Sequence, residues 1–356
     1  MTSKERVLCA INHIQPDRVP IDLRFCAEKW QELKNYLNVS EPEIWRYIGQ
    51  DVVTIRPKYK YAVTDIKYAD PTIRIDERGY YYDIYGVPFR KITVSGQSYL
   101  EYAGEAVLAK IDNIDALNAY NWPTTESWDY SSIHENIVEN GDKATWARSR
   151  GCFQISQLMR GFDNFLVDMI ENEEYAKSLM DHIYAFVRED VRLTLEAGTR
   201  EYTFIEYNDD IATQRGMMIS PKLWRKLLRP YMEDFCSLVH SYHAYVRYHS
   251  CGSITDIIDD LIEIGVDILN PVQPLAAGMD PLLLKERYGN RICFHGGLDI
   301  QELLPNGTPA ETRGQVRKLI DIVGKEGGYI LAGSHTLQID VKVENILAAV
   351  DEVLGR

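Results

Sequence analysis

The sequence predicts an α/β protein, a (β/α)8 TIM barrel with an amino-terminal helical and β-meander elaboration. Three observations carry that expectation. In the second half, short apolar runs alternate with amphipathic stretches of helical period, an order that needs crossover connections and so implies a parallel sheet covered by helices. Polar residues follow run after run at its carboxyl end, namely Glu206 with Asp209 and Asp210, His249 with Cys251, Asn270, His295 and His335. Those ends converge on one mouth in a barrel, which favours a barrel over a doubly wound sheet. The length of 356 residues suits one large core, and no repeat, low-complexity tract or linker divides it, so residues 1–356 read as a single domain.

The elements follow in order. MTSKERVLCAINHI reads as an amphipathic helix, capped by Thr2 or Ser3, with Val7, Leu8, Ile11 and Ile14 at helical spacing. Arg18–Arg24 (RVPIDLR) and Asp51–Arg56 read as strands. Residues Thr72–Thr93 have hairpin grammar: TIRID, a turn at Glu77-Arg78-Gly79, YYYDI, a turn near Tyr85-Gly86, then VPFRKIT. This β-meander, an insertion at about 69–95, flanks the expected site, and its tyrosines suit the face of a small sheet better than a flat ligand. Tyr202–Glu206 is the next strand, followed by a helix with Ser220 as cap, Pro221 at its first position and a stripe from Leu223 to Phe235. After the strand Ala244–Tyr248, a helix capped by Ser253 turns Ile254, Ile257, Ile258, Leu261 and Ile262 inward and ends before Gly265. Val266–Asn270 and Arg291–His295 are strands, Thr308–Glu311 has the form of a capping box, and the strand Tyr329–Ala332 leads to a last helix at Val343–Val353.

Composition narrows the function. A hydrophobic share of 45% and a charged share of 26% are those of a folded globular protein. A formal charge of -14 without a dense Lys/Arg cluster opposes a phosphate backbone, so no nucleic acid is expected as a partner. No apolar run is long enough to span a bilayer and the amino terminus has no signal core, so no membrane association and a cytoplasmic location are expected. Six scattered cysteines, Cys9, Cys26, Cys152, Cys236, Cys251 and Cys293, form no secreted-type framework and read as reduced thiols.

The chemistry centres on YHSCGS. Residues two apart on a strand share a face, so His249 and Cys251 aim at one point if the strand persists through Cys251. Imidazole with thiolate is a donor set for zinc rather than magnesium or calcium. From the tripeptide alone, a turn with His249 on backbone and Cys251 packed inward is the simpler reading. His335 in GSHTLQ shifts the balance, because a third donor at the same mouth makes an open three-ligand site. Glu206 and Asp209 are candidate catalytic carboxylates: further ligands, acceptors that orient a histidine, or general bases, with solvated loop carboxylates as the plainer alternative. Asn270, Gln273 and His295 are candidate substrate-binding groups; Gly296 and Gly297 beside His295 permit close backbone approach or a turn. There is no P-loop, no GxGxxG after a strand and no GxSxG elbow.

Beyond these residues, ERVLCAINHIQPDRVPID, the segment Met159–Leu179, EYNDDIATQRGMMISPKLW, HSCGSITDIIDDLIEIGVDILNPVQ, FHGGLDIQELLPNGTPAE and GGYILAGSHTLQIDVKVENILAAV occur in sequence across nearly the whole chain. Together they resemble the uroporphyrinogen decarboxylase superfamily, specifically its corrinoid-dependent methyltransferase branch. The resemblance implies an active site at the carboxyl mouth of the barrel. It also implies methyl transfer between cobalamin, carried by a partner corrinoid-binding protein, and a small-molecule thiol or methoxy donor or acceptor. In the methylcobamide:coenzyme M methyltransferases of this branch, zinc is held by an H-x-C motif and a distant cysteine. His249 and Cys251 match the motif, whereas His335, or Ser334 under a one-residue shift, stands at the distant position. The decarboxylases resemble one another in an RQAGRY-like segment, of which PIDLRFCAEKWQEL keeps only Arg24. A tetrapyrrole carboxy-lyase and a non-catalytic corrinoid-binding protein are therefore the lower-ranked alternatives.

Overall fold

In the computed structural model, which describes residues 1–63, 71–94 and 96–356, seven short runs form one parallel sheet. They are β1 (Val52–Thr54), β2 (Ala144–Arg150), β3 (Phe204–Asn208), β4 (Tyr245–His249), β5 (Ile268–Val272), β6 (Cys293–Leu298) and β7 (Tyr329–Gly333), adjacent in chain order. Helices run between successive strands from β2 onward, including Glu173–Ala197 before β3 and Arg229–Ser241 before β4. The later strands extend one to three residues beyond their expected carboxyl ends. That places Asn208 and His249 on strands rather than after them.

The strand expected at Arg18–Arg24 is instead an extended segment that makes only isolated parallel bridges, Ile21 to Leu331 and Phe25 to Leu337. Pro20 has no N–H to give a ladder, and on the other flank one backbone bond, from Asp51 N–H to Ile21 O at 2.9 Å, is joined by side-chain bonds. Ile21 N–H donates to Asp51 Oδ2 at 2.8 Å, while Gln50 accepts from Leu23 N–H and donates to Val52 O. The curled seven-stranded sheet thus has its two edge strands, β7 and β1, tied through residues 20–25.

Alternate side chains point inside. At the amino ends Val52, Ala144, Trp146, Phe204, Ile268, Cys293 and Ile330 form an apolar layer, stoppered by Val7, Ala10 and Ile11 of the helix Ser3–Ile11. Thr2 caps that helix in a capping box with Glu5. A polar layer lies above the apolar one. The meander is a four-stranded antiparallel sheet, Arg74–Ile75, Tyr80–Tyr82, Pro88–Val94 and Gln97–Tyr102. The last strand was not expected, and residues 69, 70 and 95 of the expected insertion lie outside the described residues. Guanidinium groups cover its tyrosines, Arg74 over Tyr82 at 3.7 Å and Arg90 over Tyr80 at 5.0 Å, and Gln97 bonds to Gln338 beyond β7.

Ser220 and Thr308 cap as expected. Ser253 does not, because its hydroxyl donates to Ala277 O at 2.6 Å and the helix begins later, at Ile258 after a 3-10 turn. Among the described residues, all six cysteines are free thiols, and no helix is long and apolar enough to cross a membrane.

Candidate metal centre and active site

The polar layer is built by register. Arg148 pairs with Glu206 across β2 and β3, and Glu206 with Arg247 across β3 and β4. The Arg247 guanidinium lies 4.0 Å above the Trp146 ring, 2.7 Å from Glu206 Oε2 and 3.2 Å from Asp22 Oδ2. Burial opposes ionisation of Glu206, but Arg247, Arg24 and other cations prevail and hold it at about 2. A carboxylate so low is a weak general base near neutrality; its evident work is to balance Arg247. Burial likewise opposes charge on Asp22, and Arg24, His295 and Arg247 hold its carboxyl well below the usual range.

One step further up stand His249 and Cys251. β4 ends at His249, so the strand period does not bring the two together as expected. A turn does. Ser250 N–H donates to Asn270 O, and Cys251 N–H donates to Asp210 Oδ1 at 2.8 Å. Gly252 has φ +88 and a Cβ there would stand 2.4 Å from Thr213 O, so the turn needs glycine. Cys251 Sγ then lies 3.8 Å and Asp210 Oδ1 3.7 Å from His249 Nε2. Nitrogen, sulfur and carboxylate donors of these three residues all fall within 4.8 Å of one another.

Donors about 2.0–2.3 Å from a tetrahedral zinc ion stand roughly 3.3–3.8 Å apart, so the donor types and the two distances from His249 Nε2 are compatible with zinc. The electrostatics agree. Burial, then Asp210, pushes the Cys251 thiol up to about 12, and burial holds His249 below its ordinary value despite Glu206 and Asp210. Both groups are thus neutral without a metal, and a bound cation would favour the thiolate. On its other side His249 Nδ1 meets Asn270 Oδ1 at 2.5 Å, Asn270 Nδ2 meets His295 Nδ1 at 2.6 Å, and His295 Nε2 meets Asp22 Oδ2 at 2.9 Å.

A cavity of about 210 Å³ opens above these groups, lined by Asp22, Arg24, Arg148, Glu206, Asn208, Asp210, His249, Asn270, His295 and His335 among others. It adjoins a second chamber of about 410 Å³ that shares Asp22, Arg24, Trp146 and Arg148 and extends to Trp45, Val53 and Lys143.

The structure gathers most of the expected residues about one cavity and engages others in packing and loop contacts. His335 faces the same cavity from its rim, outside the compact donor group, and Asp210 takes the third place beside His249 and Cys251. Asp209 turns away from the cavity. Its carboxylate accepts from Gln154 N–H at 2.7 Å and Phe153 N–H at 3.3 Å, at the amino end of the helix Cys152–Arg160. It packs on Gly151, where a Cβ would meet it at 2.2 Å. Gln273 is not free for substrate either: its amide accepts from Gly252 N–H and Gln214 and donates to Ser334 O, tying three loops. Asn270 and His295 line the cavity, but their polar atoms are engaged with each other and with His249 and Asp22. Sequence reasoning missed Asp22, Arg247 and Asn208. The available signal was a charged residue at a strand position of the same parity as a known site residue, as in Arg247 with His249.

A buried polar layer beneath a His/Cys/Asp donor group, at the carboxyl ends of a curled parallel sheet, defines a barrel-like α/β protein with a candidate metal centre. The chain belongs to the uroporphyrinogen decarboxylase (URO-D) family, whose profile matches residues 140–355. Among solved structures, it is similar to a methyltransferase from Methanosarcina mazei, with 16% identity and a TM-score of 0.67 over 100% of this chain and 99% of that one. This likeness is one of fold. An alfa-galactosidase from Saccharomyces cerevisiae matches at 7% identity and a TM-score of 0.40 over 94% of this chain and 64% of the other. No curated protein matches the sequence.

Proposed function

We propose that the chain is a zinc-dependent methyltransferase that moves a methyl group between the cobalamin of a partner corrinoid protein and a small thiol or methoxy substrate, acting as a single barrel domain. The observation that carries this reading is the convergence of His249 Nε2, Cys251 Sγ and the Asp210 carboxylate within 4.8 Å beneath a cavity. The whole-length fold likeness to a methyltransferase supports it.

His249, Cys251 and Asp210 would hold the ion, with His335 across the cavity as a further ligand or a donor to substrate. Bound there, zinc supplies a Lewis acid that stabilises a thiolate or polarises a methoxy oxygen, and cobalamin supplies the methyl-carrying chemistry. The chain's own residues position and insulate. Asn270 holds the His249 ring. Glu206 and Asp22 balance Arg247 beneath it, and the Arg24 guanidinium, 4.2 Å over Trp146, presents a cation to the cavity. The chamber above the donors, about 210 Å³, shares lining residues with the chamber of about 410 Å³, and the two offer room for a small-molecule substrate.

Metal analysis paired with methyl-cobalamin demethylation across thiols and methoxy aromatics tests the proposal. Stoichiometric zinc and turnover lost in Cys251→Ala are expected; zinc-free protein whose turnover is indifferent to that substitution overturns it. A tetrapyrrole carboxy-lyase would instead show porphyrinogen turnover that survives both chelation and loss of Cys251. A binding protein would hold a corrinoid without turnover.

A further inference from the structure

Four buried or half-buried side chains run sideways across the barrel wall from residue 22 to residue 249, and their hydrogen bonds have a direction. We propose that Asp22, His295 and Asn270 form a one-way relay that fixes the tautomer and rotation of His249, leaving the Nε2 lone pair facing Cys251 and Asp210. The proposal deepens the metal-centre reading and rests on it for its purpose, though not for its geometry.

The direction follows from which groups can donate. Asp22 lies 3.2 Å from one Arg247 nitrogen and 3.4 Å from one Arg24 nitrogen, so its carboxylate is ionised and can only accept. At 2.9 Å it takes a proton donated from His295 Nε2. A neutral His295 then has a bare Nδ1, which must accept at 2.6 Å from the Asn270 amide NH₂. That orients the amide. Asn270 Oδ1 is turned to His249 Nδ1 at 2.5 Å, so Nδ1 must carry the proton and Nε2 must be bare.

Reversal would defeat the site. If His295 Nδ1 carried the proton, the Asn270 amide would turn over, its NH₂ would face His249, and the proton would move to Nε2 among the donors. Arg247 Nη1 also lies 3.3 Å from His295 Nε2 and could donate to a bare nitrogen there, but the shorter 2.9 Å contact with the Asp22 carboxylate, which would then face a lone pair, opposes the reversal. Asp22, His295 and Asn270 are only 3%, 1% and 5% exposed, and their facing atoms are paired with one another. The relay also sits on the sheet rather than on loops, because His249 and Asn270 are register partners on β4 and β5, and His295 lies on β6. Asp22, His295 and Asn270 are thus positioning residues.

The test is ¹⁵N NMR of the full-length, metal-free protein, with His249 and His295 assigned by their loss in His249→Gln and His295→Gln. The expected result is His249 protonated at Nδ1 and His295 at Nε2; a His249 protonated at Nε2 in the unsubstituted protein overturns the relay without any variant. Asn270→Leu and His295→Leu should release the tautomer and weaken zinc binding about 10- to 100-fold in chelator competition. His295→Gln, whose amide can accept from Asn270 and donate to Asp22, should restore most of the affinity. Leucine variants that keep both the tautomer and zinc affinity within about twofold sink the proposal. Protein that binds no zinc yet shows the expected tautomers overturns the metal reading and leaves the relay standing.

Discussion

His249 and Asn270 are register partners on adjacent parallel strands, and their side chains meet at 2.5 Å while the opposite edge of the imidazole faces Cys251 and Asp210. One ring edge is thus tied to the sheet and the other is open to a ligand. Cys251→Ser replaces the soft donor by a poor zinc ligand. It should abolish stoichiometric zinc and lower methyl transfer by roughly 100-fold or more, beyond the effect of losing a supporting group. Metal content and turnover on the same preparation check this.

Adjacent aspartates should behave oppositely. Asp210 lies in the donor group, so Asp210→Asn should weaken zinc binding with little change in folding stability. Asp209 accepts two N–H groups at a helix start, so Asp209→Ala should cost about 1–2 kcal/mol of stability, as loss of a capping group does. Urea titration of both variants, beside chelator competition, separates the roles.

Arg247 is fully buried against Glu206 and Asp22. Arg247→Met leaves two carboxylates without their main counter-charge, and removing one partner of a buried pair costs about 3–5 kcal/mol. Adding Glu206→Gln should recover part of that loss. A denaturant midpoint unchanged by the single substitution would contradict the pairing.

Acid should weaken the fold through the same layer. Burial, opposed by the Asp22 contact, holds His295 down at about 4, below the value of about 6.5 in an unfolded chain. The unfolded state therefore binds the extra proton first, and stability falls as pH drops from about 6.5 toward 4. The depressed Asp22 carboxyl adds a further loss below its unfolded value of about 3.9. In metal-free protein His295→Gln should flatten the upper part of this fall, measured as denaturation midpoints across pH.

Much of the scaffold was legible because it is local. Caps at Thr2, Ser220 and Thr308, the meander's turns and the alternation of strands with helices depend on neighbours a few residues apart. The closing segment was less so: RVPIDLR has a strand's composition, yet Gln50 and Asp51 supply side-chain bonds where a ladder would run. Which of two consecutive aspartates enters the cavity was also hidden, because the choice rests on the distant N–H groups of Phe153 and Gln154.

The family resemblance, the candidate donors His249 and Cys251 and the convergence of polar strand ends were legible in the sequence, through motif, spacing and the geometry common to parallel strands. Only the tertiary structure decided that a glycine turn rather than strand parity brings Cys251 to His249, that Asp210 joins them, and that Asp22 stands behind His295. Asp22 and His295 are 273 residues apart in the chain. Their contact depends on the sheet curling until residues 20–25 bridge its edges, and no local preference encodes that.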